Sequence, residues 1–246
     1  VRSSTADQIP ISVKHARLLG IPISPMNARR IANFKRNRRG RWSLWVFLAL
    51  FLGTLPAEFI ANDRPLVIWY QGSVYTPVLN TYAETVFGGD FETEAEYREP
   101  EVKDLITSKG GWMIWPPIKF SYNTVNLNLQ VPAPAPPSTE NALGTDDQGR
   151  DVLARVIYGF RISVLFGLIL TALGSIIGIV AGAFQGFFGG VLDLFFQRFI
   201  EIWGGLPQLY ILIILSSVII PGFWTLLLIL LLFGWTSLVG VVRAEF

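Results

Sequence analysis

Charged residues crowd the segment 143–161, whose sequence is LGTDDQGRDVLARVIYGFR. Two kinds of site suit such a density of carboxylates: a calcium-binding loop and the polar start of a helix. The acids do not follow the EF-hand spacing, in which they alternate before a glycine. A helix start fits better, because Thr145 can cap a helix that begins near Asp146 and acids are favoured in a first turn. Arg150 and Arg155 can then pair with these acids or with lipid phosphate.

Other reactive groups are scarce in the chain. It has no cysteine, which excludes disulfides and thiol chemistry, and its one histidine, His15, excludes a zinc helix with two histidines. The sequence contains neither a GxxxxGK[ST] phosphate loop nor a GxSxG nucleophile motif. We therefore predict no catalytic residue, no metal site and no cofactor bound by this chain.

Hydropathy divides the 246 residues into blocks that predict a membrane protein. Residues 162–192 and 202–242 contain no Asp, Glu, Lys or Arg, and about 20 apolar residues suffice for a spanning helix. With Pro221 and Gly222 dividing the second run, we predict four spans, at residues 42–61, 156–184, 205–220 and 223–242. Residues 191–203 form an amphipathic segment that either lies at the inner surface or leads into a span. No carboxylate pair falls inside a predicted span, which argues against a self-powered secondary transporter.

The charges set the orientation of these spans. Residues 1–41 carry ten Lys and Arg side chains and one acid, Asp7, whereas residues 61–157 carry seven basic and thirteen acidic side chains. The positive-inside rule predicts a cytoplasmic basic tail, residues 1–41, with a short basic helix at about residues 26–39. Nucleic-acid binding is the alternative for this tail, although basic clusters beside a span usually serve topology and anionic lipid.

The polar segment 62–142 is expected outside the membrane. Residues 66–70 and 124–131 have strand character, and residues 92–108 are more helical. Its aromatic residues either form a small core or contact a ligand. The fold class is therefore an all-α integral membrane bundle with a small mixed periplasmic insert.

Glycines recur at every fourth position within the second predicted span. Gly174, Gly178, Gly182 and Gly186 share one helix face, since residues four apart lie above one another. A face without side chains allows another helix to approach closely in lipid. We expect this row to pack a neighbouring helix.

Residues 143–246 resemble the inner-membrane permeases of the dipeptide, oligopeptide and nickel class of ABC importers. The resemblance lies in Leu-Gly-Thr-Asp at 143–146, Gly-Arg-Asp at 149–151 and Tyr-Gly-x-Arg-x-Ser at 158–163. It continues through the glycine row and Gly189-Gly190, Asp193, Arg198 and Pro207. The basic stretch NFKRNRRGRWSLW and the long polar insert are similar to one branch, the microcin C-type oligopeptide importers.

The resemblance implies a six-span subunit that pairs with a second permease. It also implies two cytoplasmic ATPases that bind ATP and Mg, a periplasmic binding protein and a peptide substrate. Arg243, Ala244 and Glu245 would lead into the loop that couples such permeases to their ATPases. We expect four of the six spans here, with the chain truncated before that loop and no transport unless the remainder is supplied.

Two other functions remain open from the residues alone. A membrane-anchored receptor or scaffold would use the segment 62–142 to sense a ligand, and an intramembrane enzyme would need a reactive set that the chain lacks. For a permease, residues of the segment 143–161 are candidates for the outer mouth or for contact with the binding protein. Helix initiation and interfacial anchoring explain the same residues. The candidates are Gly144, Thr145, Asp146, Gly149, Arg150, Asp151 and Arg161.

Overall fold

A computed structural model of the chain describes residues 17–18, 21–22, 24–220 and 222–246. The chain divides into two compact units, Val1–Gly53 and Thr54–Phe246. Much of the predicted basic tail, including His15, lies outside the described residues, and so does Pro221.

The described residues of the first unit form two very short strands and two helices. Strands β1 (Arg17–Leu18) and β2 (Ile21–Pro22) are antiparallel. Helix α1 (Pro25–Arg36) confirms the predicted short basic helix, and it has a proline in its first turn, where no backbone donor is needed. Helix α2 (Arg38–Thr54) follows it.

Helix α2 does not continue to Ala61, as the predicted span 42–61 requires. The helix ends at Thr54, and a separate short helix, α3 (Ala57–Ile60), follows Pro56. Proline lacks a backbone N–H and disfavours the helical conformation of the residue before it, which explains the break. Residues 57–61 therefore belong to the second unit.

The polar segment 62–142 is a small mixed α/β structure. Strands β3 (Val67–Tyr70), β4 (Ser73–Tyr75) and β5 (Trp112–Ile114) form an antiparallel sheet in the order β4-β3-β5. A 3₁₀ turn (Glu84–Phe87) and helix α4 (Pro100–Ser108) pack beside it.

The sequence-based assignment of this segment was right in part. The strand near residues 66–70 is confirmed, while the helix predicted at residues 92–108 is confined to α4, which has Pro100 at its start. Residues 124–131 form no strand, because Asn126 bonds through its backbone and its side chain to other loops.

Phe87 is the centre of the core of this segment. Its fully buried ring meets Tyr70, Tyr75, Tyr82 and Tyr97 edge-on, with ring centroids 5.4–6.4 Å apart. Aromatic pairs of this geometry add to the stabilisation from area burial. These aromatics therefore form a core, whereas Trp69, Trp112 and Tyr122 remain exposed.

The described residues after the polar segment form five further helices. They are α5 (Val152–Phe188), α6 (Gly190–Gly204), α7 (Gln208–Val218), α8 (Phe223–Gly234) and α9 (Thr236–Glu245). Among the described residues, Val152–Phe188 and Phe223–Glu245 are long and apolar enough to cross a membrane. Helices α6 and α7 bend by 66° at their junction, and they would make a third span if taken together.

The predicted third span, residues 205–220, does not form a single crossing helix. Helix α7 has 11 residues, which at 1.5 Å per residue extend about 16 Å, roughly half of a bilayer core. The chain bends at Gly205 to Pro207, so the amphipathic segment 191–203 leads directly into α7 as helix α6. The total of four spans stays a prediction.

Candidate functional site

The segment 143–151 folds into a turn around Asp146 rather than into a helix. Oδ1 of Asp146 accepts hydrogen bonds from the backbone N–H groups of Gln148 and Arg150, both at 2.9 Å. Oδ2 accepts from Arg150 Nε at 2.9 Å and also pairs with Arg155. Partial burial alone would raise the pKa of Asp146, but these hydrogen bonds and the charge of Arg150 lower it to about 2.

Helix α5 begins at Val152, six residues later than predicted, and Asp151 caps it. The Asp151 Oδ1 atom accepts a hydrogen bond from Ala154 N at 2.7 Å. The prediction that Thr145 caps a helix near Asp146 is wrong. Gly144 and Gly149 have φ values of +76° and +77°, which interrupt any helix there.

Thr145 instead joins the turn to the preceding proline-rich segment. Its hydroxyl accepts a hydrogen bond from Ala135 N at 2.9 Å, and its own N–H donates to Ala135 O at 3.0 Å. A side chain at Gly144 would clash with that same carbonyl oxygen. Gly144 and Thr145 therefore form a close contact between two backbones.

A buried polar chain runs from the loop 124–131 to the start of α5. Asn126 Nδ2 donates to Asn141 Oδ1 at 3.0 Å, and Asn141 Nδ2 donates to Asp151 Oδ2 at 2.8 Å. All three residues are at most 4% exposed. One carboxylate oxygen of Asp151 thus accepts a hydrogen bond from helix α5, and the other accepts one from the loop that contains Asn141. Sequence reasoning missed Asn126 and Asn141, since no local motif marks a side chain that bonds 10 or 15 residues away.

A second contact fastens α3 to the first turns of α5. The guanidinium of Arg161 donates to both oxygens of Glu58 at 2.8 Å and to Leu55 O at 3.0 Å. Nearby, the Tyr158 hydroxyl donates to Ala61 O at 2.8 Å. Bidentate pairs of this kind are the strongest ion pairs that arginine makes. Arg161 is therefore held by the protein itself.

The structure separates the candidate residues of the outer mouth into two groups. Gly144, Thr145, Asp146, Gly149, Arg150 and Asp151 come together in the one turn, and Arg161 lies about two and a half helical turns further along α5. Asp146, Arg150 and Arg161 are partly exposed, whereas the others are buried. The Asp151 carboxylate faces inward, so it does not present itself to a binding protein.

The glycine row of α5 faces α9. A Cβ atom on Gly178 would lie 2.7 Å from Trp235 O, one on Gly182 would lie 2.8 Å from Val239 O, and one on Gly186 would lie 3.0 Å from Arg243 O. Gly174 has more room, with Leu231 at 3.8 Å. The two helices consequently approach at a distance that only glycine permits at three successive positions.

An ion pair closes the far end of this helix contact. Arg243 Nη2 lies 2.6 Å from Asp193 Oδ2, which links α9 to α6. The second oxygen of Asp193 is buried without a hydrogen-bond partner among the described residues. Ala244 and Glu245 follow on the surface. Arg198 and Glu201 pair along α6 at 2.6 Å.

Within the described part of the chain, no cluster of three His, Asp or Glu side chains could hold a metal ion.

Two curated bacterial proteins match nearly the whole chain. The inner membrane ABC transporter permease protein YejE of Escherichia coli is 54% identical over 224 residues, which are 91% of this chain and 65% of that protein. This chain is similar to ABC transporter permeases. The peptidoglycan transport system permease protein YejE of Agrobacterium fabrum is 50% identical over 247 residues, covering 91% of this chain and 64% of that protein.

A third relative matches only part of the chain. The dipeptide transport system permease protein DppC of Bacillus subtilis is 37% identical over 110 residues, which are 45% of this chain and 34% of that protein. No protein-family model matches the chain. The chain spans just under two thirds of the length of the two YejE proteins.

We expect Asp151→Ala to loosen the start of α5. The substitution removes the helix cap and leaves the Asn141 amide buried without its acceptor, which together cost about 2 kcal/mol. Amide hydrogen exchange in detergent should become faster in the first turn of α5 and around residue 141. Asp147→Ala, which removes an exposed carboxylate four residues away, should leave both regions unchanged. Equal exchange in the two variants would contradict the capping role.

The stabilising effect of Asp146 should depend on pH. Because its pKa is lower in the folded state, the carboxylate stabilises the fold above pH 4, and this contribution is lost as the pH falls towards 2. Asp146→Asn should therefore lower the melting temperature at pH 7 by a few degrees, corresponding to about 1 kcal/mol for a group near solvent. The difference from the unmodified chain should shrink between about pH 4 and pH 2. Asp147→Asn is the control, and a difference that persists at pH 2 would contradict the assignment.

Gly182→Ala should force α5 and α9 apart. The added methyl group would lie 2.8 Å from both Val239 O and the Val242 Cβ atom, and overpacking of this kind costs about 1–3 kcal/mol. Gly167→Ala is a matched control on the same helix, since its methyl group would meet nothing within 4 Å. Thermal unfolding in lipid nanodiscs should show destabilisation by Gly182→Ala alone. Equal melting temperatures for the two variants would exclude a close contact at Gly182.

Proposed function

We propose that this chain is a permease subunit of an ATP-driven ABC importer. It forms half of the pathway that carries peptides or peptide-like compounds across the bacterial inner membrane. The observation that carries the proposal is the identity of 54% and 50% to two permease proteins over 91% of the chain. The partial match to a dipeptide permease supports the substrate class.

The helices have the surface expected of such a subunit. Large apolar side chains on α5 to α8 are strongly exposed, among them Val180, Phe187, Val191, Ile202 and Trp224. Large exposed apolar patches mark contact with lipid or with another protein. This surface supports our proposal of a multi-pass inner-membrane protein, and the positive-inside rule supports a cytoplasmic position for its basic N-terminal tail.

We assign ATP hydrolysis and substrate delivery to partner proteins. This chain is a transport subunit and not an enzyme, and the ATP and Mg are held by two cytoplasmic ATPase subunits. A second permease completes the pathway, a periplasmic binding protein delivers the substrate, and nucleic acid has no part. We assign Arg243, Ala244 and Glu245 to the lead-in to the ATPase-coupling loop, and the exposed part of the Asp146 turn to the outer mouth.

The substrate is narrowed further by the resemblance in the basic stretch and the polar insert. We propose an oligopeptide-like compound of the microcin C type. A peptide fragment of peptidoglycan is the alternative, because the Agrobacterium fabrum relative is named for peptidoglycan transport. Both classes contain a peptide, and competition between them for uptake would separate the two.

The function can be tested with a chimera of full length. This chain replaces the matching 224 residues of the Escherichia coli relative, and the chimera is co-expressed with that system's partner permease, ATPases and binding protein. We expect the complex to co-purify and its ATP hydrolysis in nanodiscs to rise with peptide-loaded binding protein. The matched control is the same complex with the unmodified relative.

A negative result with the chimera would favour the alternative function, a membrane-anchored receptor or scaffold. A chimera that inserts into the membrane but neither binds the ATPases nor stimulates hydrolysis would contradict the permease function. Ligand binding by such a chimera, without any ATPase, would then assign a sensing role to the polar segment.

A further inference from the structure

Two clefts lie side by side and are lined mostly by the polar segment, with Glu58 of α3 and Tyr158 of α5 at the first. Their volumes are about 680 Å³ and about 750 Å³, which are within the usual range for small-molecule sites. Tyr97, Arg98 and Asn128 line both of them and so form a shared wall. A ligand bound over this wall would touch both clefts.

The two clefts carry opposite charge. Five carboxylates and two guanidinium groups line the first cleft, and three cationic groups and one carboxylate line the second. In the first, Glu96 and Glu99 are exposed and make no ion pair among the described residues. In the second, Arg98 lies together with Lys103 and Lys119.

Arg98 is the unusual residue of the shared wall. Its guanidinium stacks over the buried ring of Phe120, with 4.1 Å between the Cζ atom and the ring centroid. The side chain makes no hydrogen bond and no ion pair with any residue that the structure describes. Partial burial lowers the pKa of Arg98, although Asp63 and Glu140 act against this shift. The group remains charged, and its donors are free for an anion.

The planar shape of the Arg98 guanidinium favours a carboxylate as its ligand. The contact with Phe120 holds the guanidinium in place, and its N–H donors, which make no hydrogen bond to the described residues, can form a bidentate pair with a carboxylate. A free peptide also carries an ammonium group at its other end, for which Glu96 and Glu99 supply the opposite charge. A zwitterion therefore matches the two clefts better than a simple anion does.

We propose that the polar segment binds the transported peptide directly, with the peptide's terminal carboxylate on Arg98 and its ammonium group in the first cleft. The inference rests on the proposed function for the choice of a peptide as ligand. It assigns to the polar segment a site outside the helices that cross the membrane. A carboxylate on the surface of the binding protein is the rival partner, but Arg98 lies in the wall of a cleft, where the end of a small ligand fits more readily than a folded surface.

The test compares two forms of one peptide on the complete chain in lipid nanodiscs. Equilibrium dialysis measures the binding of tritiated trialanine and of its C-terminal carboxamide. We expect the carboxamide to bind at least about tenfold more weakly, because it loses a charge-assisted bidentate contact. This comparison requires no mutation, so it does not depend on the folding of a variant.

Variants of the chain then locate the contact. Arg98→Gln should abolish the preference for the acid, and Arg98→Lys should keep only part of it, since a lysine retains the charge but not the fork. Lys109→Gln removes an exposed positive charge of the same segment outside both clefts and should change nothing. Circular dichroism of each variant verifies the fold.

Three outcomes would overturn the site: no binding to the unmodified chain, equal affinity for acid and carboxamide, or an Arg98→Gln variant that keeps the full preference for the acid. The chimera experiment is independent of these results. Transport by the chimera without carboxylate-dependent binding would refute the site alone. Carboxylate-dependent binding without ATPase assembly would refute the import function and leave the site in place.

Discussion

The arrangement of the second unit depends on the hydrogen bonds of the buried Asp151 carboxylate. Burying a charge is costly unless hydrogen bonds satisfy it, and here both oxygens have donors. One donor belongs to the first turn of α5 and the other to Asn141, which in turn holds Asn126. A single side chain therefore caps the long helix and joins its start to two loops, one directly through Asn141 and one through Asn126. The Asp146 turn is then fixed on both sides.

Sequence patterns predicted the parts of this structure that local physics determines. The uncharged stretch of α5, the basic helix α1 and the strand near residue 67 follow from hydropathy and periodicity, and the structure confirms each of them. The start of α5 was missed because both Thr145 and Asp151 are good capping residues. The choice between them is made by glycines with positive φ and by a partner, Asn141, that lies ten residues away. The predicted span 42–61 extends past the helix break at Pro56, since hydropathy measures composition and not the continuity of a helix.

Close helix packing and an ion pair hold the helical part together. Three glycines of α5 admit the backbone of α9, and the ion pair between Arg243 and Asp193 then fastens the end of α9 to α6. In lipid, the hydrophobic effect contributes little to helix association. Close backbone packing at glycines and a well-formed polar contact can hold the helices together instead. Many other apolar side chains of these helices are exposed, as they are in proteins that contact lipid or another protein.

The length of α5 has a mechanical consequence. Its 37 residues correspond to a rod of about 55 Å, which exceeds the roughly 30 Å of a bilayer core. One end is fastened to the polar segment by Asp151 and to α3 by Arg161, and the other packs along α9 beside the Asp193 ion pair. A tilt of about 10° would displace one end of such a rod by roughly 10 Å relative to the other. The helix is thus a lever whose two ends cannot change position independently.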